Sequence, residues 1–416
     1  MSRKELMLLL LLACINFTHI MDFMIMMPLQ EFLAPVFHIT PQQFSFLVSA
    51  YAFSAFISSL TASLLVDRFD RKRVLLTAYT GFVIGTLGCA FAPSYQMLML
   101  ARIVAGFFGG LISAQVLSIV GDTFPYERRG RAMGILMSAF SFAAVAGVPA
   151  GLFLASTLSW HIPFLAIGIL GITIIPTAML LVPSMRLHLD GGDRPSTFDV
   201  YRGLFQNRNQ QLALLMMLTL VLSHFVAIPF IAPYLEKNVG FTKHQISLMY
   251  FIGGIVSLIG SPLVGRLSDR IGKHRTLTTF LILSAVPIYL LTNMPRIPYY
   301  YVLIVTGLFF LVAGGRMVPA QALITSVVNP RLRGGFMNIN SSIMQLGTAL
   351  AAMISGSIVT KNTAGELEHY PIVGYIGISI GLCCLLIAQF VKAGHTANEP
   401  DVSTAVTEAP LAENAQ

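Results

Sequence analysis

The chain has 416 residues, of which 55% are hydrophobic and 11% charged, with a mean hydropathy of +0.75 and a formal net charge of +8. A soluble globule of this size needs a much more polar surface, so the composition excludes a water-soluble enzyme and points to a membrane protein. The positive balance is no nucleic-acid signature, because the lysines and arginines lie in short loops between apolar runs and form no soluble basic face.

One helical crossing takes roughly 20 apolar residues, since the hydrocarbon core is about 30 Å thick and a helix rises about 1.5 Å per residue. Hydropathy windows predict twelve such spans. Six lie at 6–30, 43–66, 74–93, 95–121, 131–156 and 160–183. The other six lie at 210–235, 245–268, 276–294, 298–326, 334–360 and 371–392. The first begins with Arg3 and Lys4 before an apolar run too long for a signal peptide, and reads as an uncleaved span. The pattern divides the chain into a first six-helix unit (1–183), a polar linker (184–209), a second six-helix unit (210–393) and a tail (394–416). The tail is rich in small residues, proline and acids, the composition of a disordered segment. Cys14, Cys89, Cys383 and Cys384 all fall inside spans, which argues against disulfides and zinc sites. No metal and no cofactor is expected.

The basic residues set the orientation. With the N-terminus in the cytoplasm, 20 of the 26 lysines and arginines fall on that side and 4 on the other (Lys237, Lys243, Arg296, Lys361). Arg102 and Arg316 lie within spans. Both termini are therefore expected in the cytoplasm, and the compact loops fit a multi-pass protein of a bacterial inner membrane.

The two halves repeat. An offset of 202 lays "SLLVDRFDRKR" (63–73) on "GRLSDRIGKHR" (265–275) and "TPQQF" (40–44) on "TKHQI" (242–246). An offset of 204 lays "RRGRAMGILMS" (128–138) on "RLRGGFMNINS". Halves of the same orientation imply a pseudo-two-fold axis along the membrane normal, with substrate held between them near the midplane.

On these residues the chain resembles the major facilitator superfamily over nearly its full length. The family signature of Gly, three residues, Asp-Arg, one residue and Gly, followed by basic residues, is matched by Gly265, Asp269, Arg270, Gly272, Lys273 and Arg275. The first copy departs, with Ser63 and Asp70 where glycines are usual. The resemblance implies an all-α membrane fold of twelve transmembrane helices in two pseudo-symmetric six-helix bundles. It also implies a gate in which Asp67, Arg68, Arg71, Arg73, Asp269 and Arg270 lock helices on the cytoplasmic side. Asp122 is the expected acidic partner of Arg71 or Arg73, and the competing reading is a merely solvated basic loop. "LMLARIVAGFFGG" (98–110) resembles the span-4 pattern of proton-coupled members, and "AGVPAG" (146–151), with Gly147, Pro149 and Gly151, resembles the span-5 motif of exporters. The alternative for the latter is an ordinary packing kink. "SWHIPF" (159–164) resembles the start of span 6 in sugar and drug efflux permeases.

Charge at the bilayer centre costs about 2.5–3.5 kcal/mol even on translocon scales, and such residues are usually functional. Asp22 falls ~24 Å into span 1 and Arg102 ~20 Å from the same face, so an ion pair between them is feasible. Asn16, His19 and Asp22 recur every three residues as one polar stripe, expected to face a water-filled cavity. The repeat lays Asp22 on His224. Burial favours the neutral acid and a neighbouring guanidinium favours the carboxylate, so Asp22 is the candidate proton carrier with Arg102 as its counterpart. The alternative is a static buried pair. Arg316 is expected near the midplane, binding an anionic substrate group or pairing with Asp22. Gln115 and Gln321 align at an offset of 206, and with Asn338 and Gln345 they complete the candidate cavity. Interhelical hydrogen bonds are the other use open to the polar residues of span 11.

The leading reading is secondary active transport: proton-coupled efflux of small drug- or sugar-like molecules by alternating access, by a monomer whose partners are substrate, protons and lipid. The alternatives are an uptake symporter or facilitator, and a non-transporting receptor on the same fold. No HExxH, GxSxG or GxxxxGK[ST] motif occurs, so an enzymatic reading lacks support.

Overall fold

The computed structural model describes residues 2–65, 69–124, 126–185, 204, 206–328 and 333–392. Asp67 and Arg68 of the expected gate, most of the 184–209 linker and the 394–416 tail lie outside the described residues. Among those described, 12 helices are long and apolar enough to cross a membrane.

The first half holds α1 (Arg3–Met26), the short α2 (Gln30–Phe37), α3 (Pro41–Leu65), α4 (Arg71–Ala90) and α5 (Tyr95–Thr123). Its fifth span is α6 (Tyr126–Phe142) and α7 (Val148–Thr157), joined by a π-helical turn at Ala143–Gly147, and its sixth is α8 (His161–Leu181). The second half opens on α9 (Arg208–Phe225), which gives way to a 3-10 turn, the four-residue α10 (Ile231–Tyr234) and a π-helical turn ending at Val239. It continues with α11 (Lys243–Ile271), α12 (Lys273–Thr292), α13 (Tyr299–Ser326), α14 (Arg333–Ile358) and α15 (Tyr370–Phe390). A hairpin of β1 (Thr360–Lys361) and β2 (Leu367–Glu368) joins the last two.

The repeat is visible in the helix starts. Thr40 and Gln43 exchange side-chain and backbone hydrogen bonds at the head of α3 (2.9 and 3.2 Å). Thr242 and Gln245 do the same at the head of α11 (2.9 and 3.3 Å). Each reciprocal pair satisfies two orphan amides where a span begins.

Two sequence expectations need correction. Span 1 ends at Met26, and the residues to Phe37 form a separate helix on the end away from the termini. Span 7 is not one helix, because Pro229 and Pro233 lack the N–H groups that would continue it. Tyr370 Oη donates to the Ala227 carbonyl (2.8 Å) in this broken stretch, so the interruption is held by protein partners.

Apolar packing divides the molecule by depth. One buried cluster draws on both halves, with Leu29, Leu33, Leu47 and Val48 from the first and Phe230, Leu235, Ala351 and Ala352 from the second. It occupies the end away from the termini. The other two clusters belong to one half each, the first holding Leu9, Tyr79 and Val116, the second Met217, Leu323 and Phe336. The halves are therefore sealed together most firmly at the end opposite the termini. Large apolar side chains on the perimeter, such as Phe91, Leu180 and Phe390, stay exposed by the protein itself, as lipid contact requires.

The buried acid and the sealed end

Asp22 lies on α1, one turn before its end. Its Oδ2 accepts a hydrogen bond from Arg102 Nη1 of α5 at 2.7 Å, and its Oδ1 accepts one from Thr86 Oγ1 of α4 at 3.0 Å. Both partners of the ion pair are fully enclosed, at 0% side-chain exposure. Arg102 Cζ also stands 4.2 Å over the Tyr51 ring of α3, a cation–π contact. The charge of the arginine is thus met on one side by a carboxylate and on another by an aromatic face. A lone buried charge is far costlier than a buried pair, so each member fixes the other in place. Gly106, one turn beyond Arg102, lets α5 come this close to α3: a Cβ there would fall on the Tyr51 carbonyl and the Ser54 hydroxyl.

The polar stripe of α1 does not line an open cavity. Asn16, His19 and Asp22 are 7%, 6% and 0% exposed, and the contacts of His19 and Asp22 lie within the first half. The three-residue spacing places them on one face, but periodicity cannot tell a face that meets water from one that meets neighbouring helices. The His19 ring sits between Tyr51 (6.3 Å) and Phe82 (5.9 Å). Gln115 is enclosed as well. Of the other cavity candidates, His224, Gln321, Asn338 and Gln345 are half-buried. His224 stacks on Phe309 at 4.6 Å, and Gln321 Oε1 receives a long contact from the buried Asn340 (3.5 Å). Arg316 does not reach Asp22. Its Nη1 donates to Ser223 Oγ (3.2 Å) and Ser284 Oγ (3.4 Å) within the second half. The carboxylate that was one expected partner is already taken by Arg102.

At the expected gate, Arg71 Nε donates to Asp122 Oδ2 at 2.5 Å, joining the start of α4 to the end of α5. Arg73 is exposed. Asp70 caps α4 through the Lys72 amide (3.0 Å) and reaches Ser184 Oγ (2.5 Å) and the Met185 amide (3.1 Å) beyond α8. In the second copy Asp269 and Arg270 are exposed, and neither has an ion pair among the described residues. Gly272, opposite Asp70 in the repeat, has φ +95°.

The span-5 motif lies between the halves. Pro149 lacks the N–H that would bond Val145, and the π-helical turn before it absorbs the mismatch. Ser247 Oγ of α11 donates to the Pro149 carbonyl (3.3 Å), and a Cβ on Gly254 would stand 2.8 Å from the Val145 amide nitrogen. On the opposite side, a Cβ on Gly147 or Gly151 would press on Met21 or Ile25 of α1.

The sequence reading missed Glu31. This acid of α2 has a side chain only 5% exposed, and it meets Lys237 (3.2 Å) and Lys361 (3.6 Å), both from the second half. Beside it Lys243 Nζ stands 3.8 Å over the Phe32 ring. Three of the four basic residues at this end therefore hold the first half. The side chain of Asn238 exchanges two 2.9 Å hydrogen bonds with the Leu367 backbone, tying the hairpin to the end of span 7 and setting Lys361 near Lys237. The available signal was that Glu31 is the one acid the first half carries at this end, where the second half carries the basic residues.

The chain matches the profile described as Major Facilitator Superfamily in two segments, residues 12–223 and 213–413. It is 25% identical over 376 residues to the uncharacterized MFS-type transporter YceJ of Bacillus subtilis (strain 168), covering 90% of this chain and 93% of that one. It is also 25% identical to a probable sugar efflux transporter of Helicobacter pylori (strain J99), covering 83% and 85%. Among solved structures, a D-xylose-proton symporter superposes with a TM-score of 0.77 at 17% identity, covering 93% of this chain and 98% of that one. With two six-helix bundles, a repeated inter-helix loop and a profile match across both halves, the chain belongs to the major facilitator superfamily and is a multi-pass membrane transporter, not an enzyme.

Proposed function

We propose that the protein is a proton-coupled exporter of small organic molecules, working by alternating access in a bacterial inner membrane with both termini in the cytoplasm. The observation that carries this reading is the sealed Asp22–Arg102–Thr86 cluster inside the first bundle. Protonating Asp22 removes the charge that holds Arg102, so one proton exchanges an ion pair for a free guanidinium and changes the packing of α1 against α5. Efflux is supported by the span-5 motif, which here forms the contact of α7 and the π-helical turn with α11, and by the naming of the Helicobacter relative. The excess of basic residues on the terminal side supports the orientation. On this orientation the state described is closed toward the outside by Glu31 and its lysines, and Arg71–Asp122 belongs to the cytoplasmic gate.

The test uses everted membrane vesicles with an imposed proton gradient and a panel of dyes and sugars. Wild type accumulates a substrate, and Asp22→Asn abolishes that accumulation while remaining folded in the membrane. Full gradient-driven transport by Asp22→Asn refutes the assignment. Accumulation only in right-side-out vesicles replaces efflux with uptake.

A further inference from the structure

Arg316 is among the largest fully buried side chains of the molecule, 1% exposed at the middle of α13. Unlike Arg102, it has no carboxylate partner among the described residues. Its Nη1 rests on two hydroxyls, Ser223 and Ser284, and its Nη2 has no hydrogen-bond partner among the described residues. Neither serine supplies charge, and each hydroxyl already donates its own proton along its helix, to the carbonyls of Leu220 (2.9 Å) and Leu281 (2.6 Å). Hydroxyl dipoles do not neutralise a guanidinium, and a buried charge without a counter-charge is strongly unfavourable. The sequence offers no remedy within the second half, because its acids, Glu236, Asp269, Glu366 and Glu368, all lie near span ends or in loops.

The cradle adjoins the boundary between halves. Ser223 is followed by the half-buried His224, stacked on Phe309 two turns before Arg316, and by Phe225, whose ring meets Phe23 of the first half at 6.3 Å.

We propose that Arg316, backed by Ser223 and Ser284, is an anion-binding site, and that the counter-charge missing among the described residues is supplied by a carboxylate or similar single anionic group. A planar guanidinium with an unused edge suits a carboxylate. The inference rests on the transporter reading, in that the natural source of the anion is the organic substrate. A free halide is the other source of the same chemistry. Asp22 and proton coupling play no part in it.

The experiment uses purified full-length protein in detergent, in halide-free buffer, and follows thermal unfolding with benzoate, its neutral isostere benzamide, or chloride. Benzoate gives a saturable rise in the melting midpoint of wild type and benzamide gives none. Arg316→Gln loses the benzoate response and, without added anion, melts no lower than wild type, because it removes an uncompensated charge. Arg316→Lys retains part of the response. A benzoate rise without a chloride rise assigns the site to an organic anion, and equal rises assign it to a small inorganic one. An Arg316→Gln protein that still answers benzoate, or a wild type indifferent to both anions, overturns the proposal. Because binding is read without a gradient, it stands or falls separately from the loss of transport in Asp22→Asn.

Discussion

Each half buries one arginine within a span, and the two charges are handled differently. In the first half Arg102 is matched by Asp22 and steadied by Tyr51. In the second half Arg316 is met, among the described residues, only by serine hydroxyls. Duplicated folding therefore did not duplicate the electrostatics: one bundle is neutral at its centre and the other carries an unmet positive charge. Helix geometry is set by hydropathy and caps, which the halves share, while charge balance depends on single side chains, which they do not.

The largest effect follows from breaking the neutral half. Asp22→Ala leaves Arg102 buried without its carboxylate, and removing one partner of a buried pair costs about 3–5 kcal/mol. A pronounced fall in the melting midpoint of the purified protein is expected, in contrast to the unchanged or raised midpoint of Arg316→Gln. Substitutions that remove opposite charges from two enclosed sites then move stability in opposite directions. Similar losses at both sites would mean that the second half holds a counter-charge after all.

The same comparison runs through the two loops of the repeat. Asp70 has φ −58° and caps α4, whereas Gly272 has φ +95° and no side chain to cap α12. Gly272→Asp, which makes the second loop read like the first, meets no steric obstacle but places a non-glycine residue in left-handed backbone. That strain is of order 1–3 kcal/mol. Asp70→Gly costs less at the helix start, about a few tenths of a kcal/mol for the cap itself, plus its bonds to Ser184 and Met185. Melting midpoints of the two single variants should rank in that order, and the reverse order would show that the cross-link to the end of α8 outweighs backbone strain.

How much of this was legible in the sequence divides along the same line. The spans, the repeat and the depth match of Asp22 with Arg102 follow from hydropathy and rise per residue, which are local quantities. The pairing of Arg71 with Asp122 was open between two arginines and needed the turn geometry around Asp70 to choose. Thr86 gave no sign of its role, because a threonine in a span is as readily bonded to its own backbone. Arg316 was readable as a membrane arginine, but its serine cradle joins three helices and no local pattern announces that. Glu31 was invisible for a similar reason. Its partners come from the end of span 7 and from a hairpin more than 300 residues away in sequence, and only the fold brings them to one acid.

The smallest effect is expected where the halves meet at that acid. Lys237 and Lys361 keep 38% and 26% side-chain exposure, so water screens their side of the contact even though Glu31 is enclosed. Exposed ion pairs contribute up to about 1 kcal/mol each, so Glu31→Gln, which removes two of them, should favour separation of the halves by roughly thirtyfold at most. Spin labels at Val36 and Thr363, one on each side of the closure, read that separation directly, and the variant should enlarge the long-distance population. Lys237→Gln with Lys361→Gln should do the same, and adding Glu31→Gln to that pair should add nothing, because both changes remove the same interaction. A further increase on the third substitution would show that Glu31 holds the outer end through contacts other than its lysines. An unchanged distance distribution in every variant would leave the closure to apolar packing around Leu33 and Phe230 and to the Lys243–Phe32 contact.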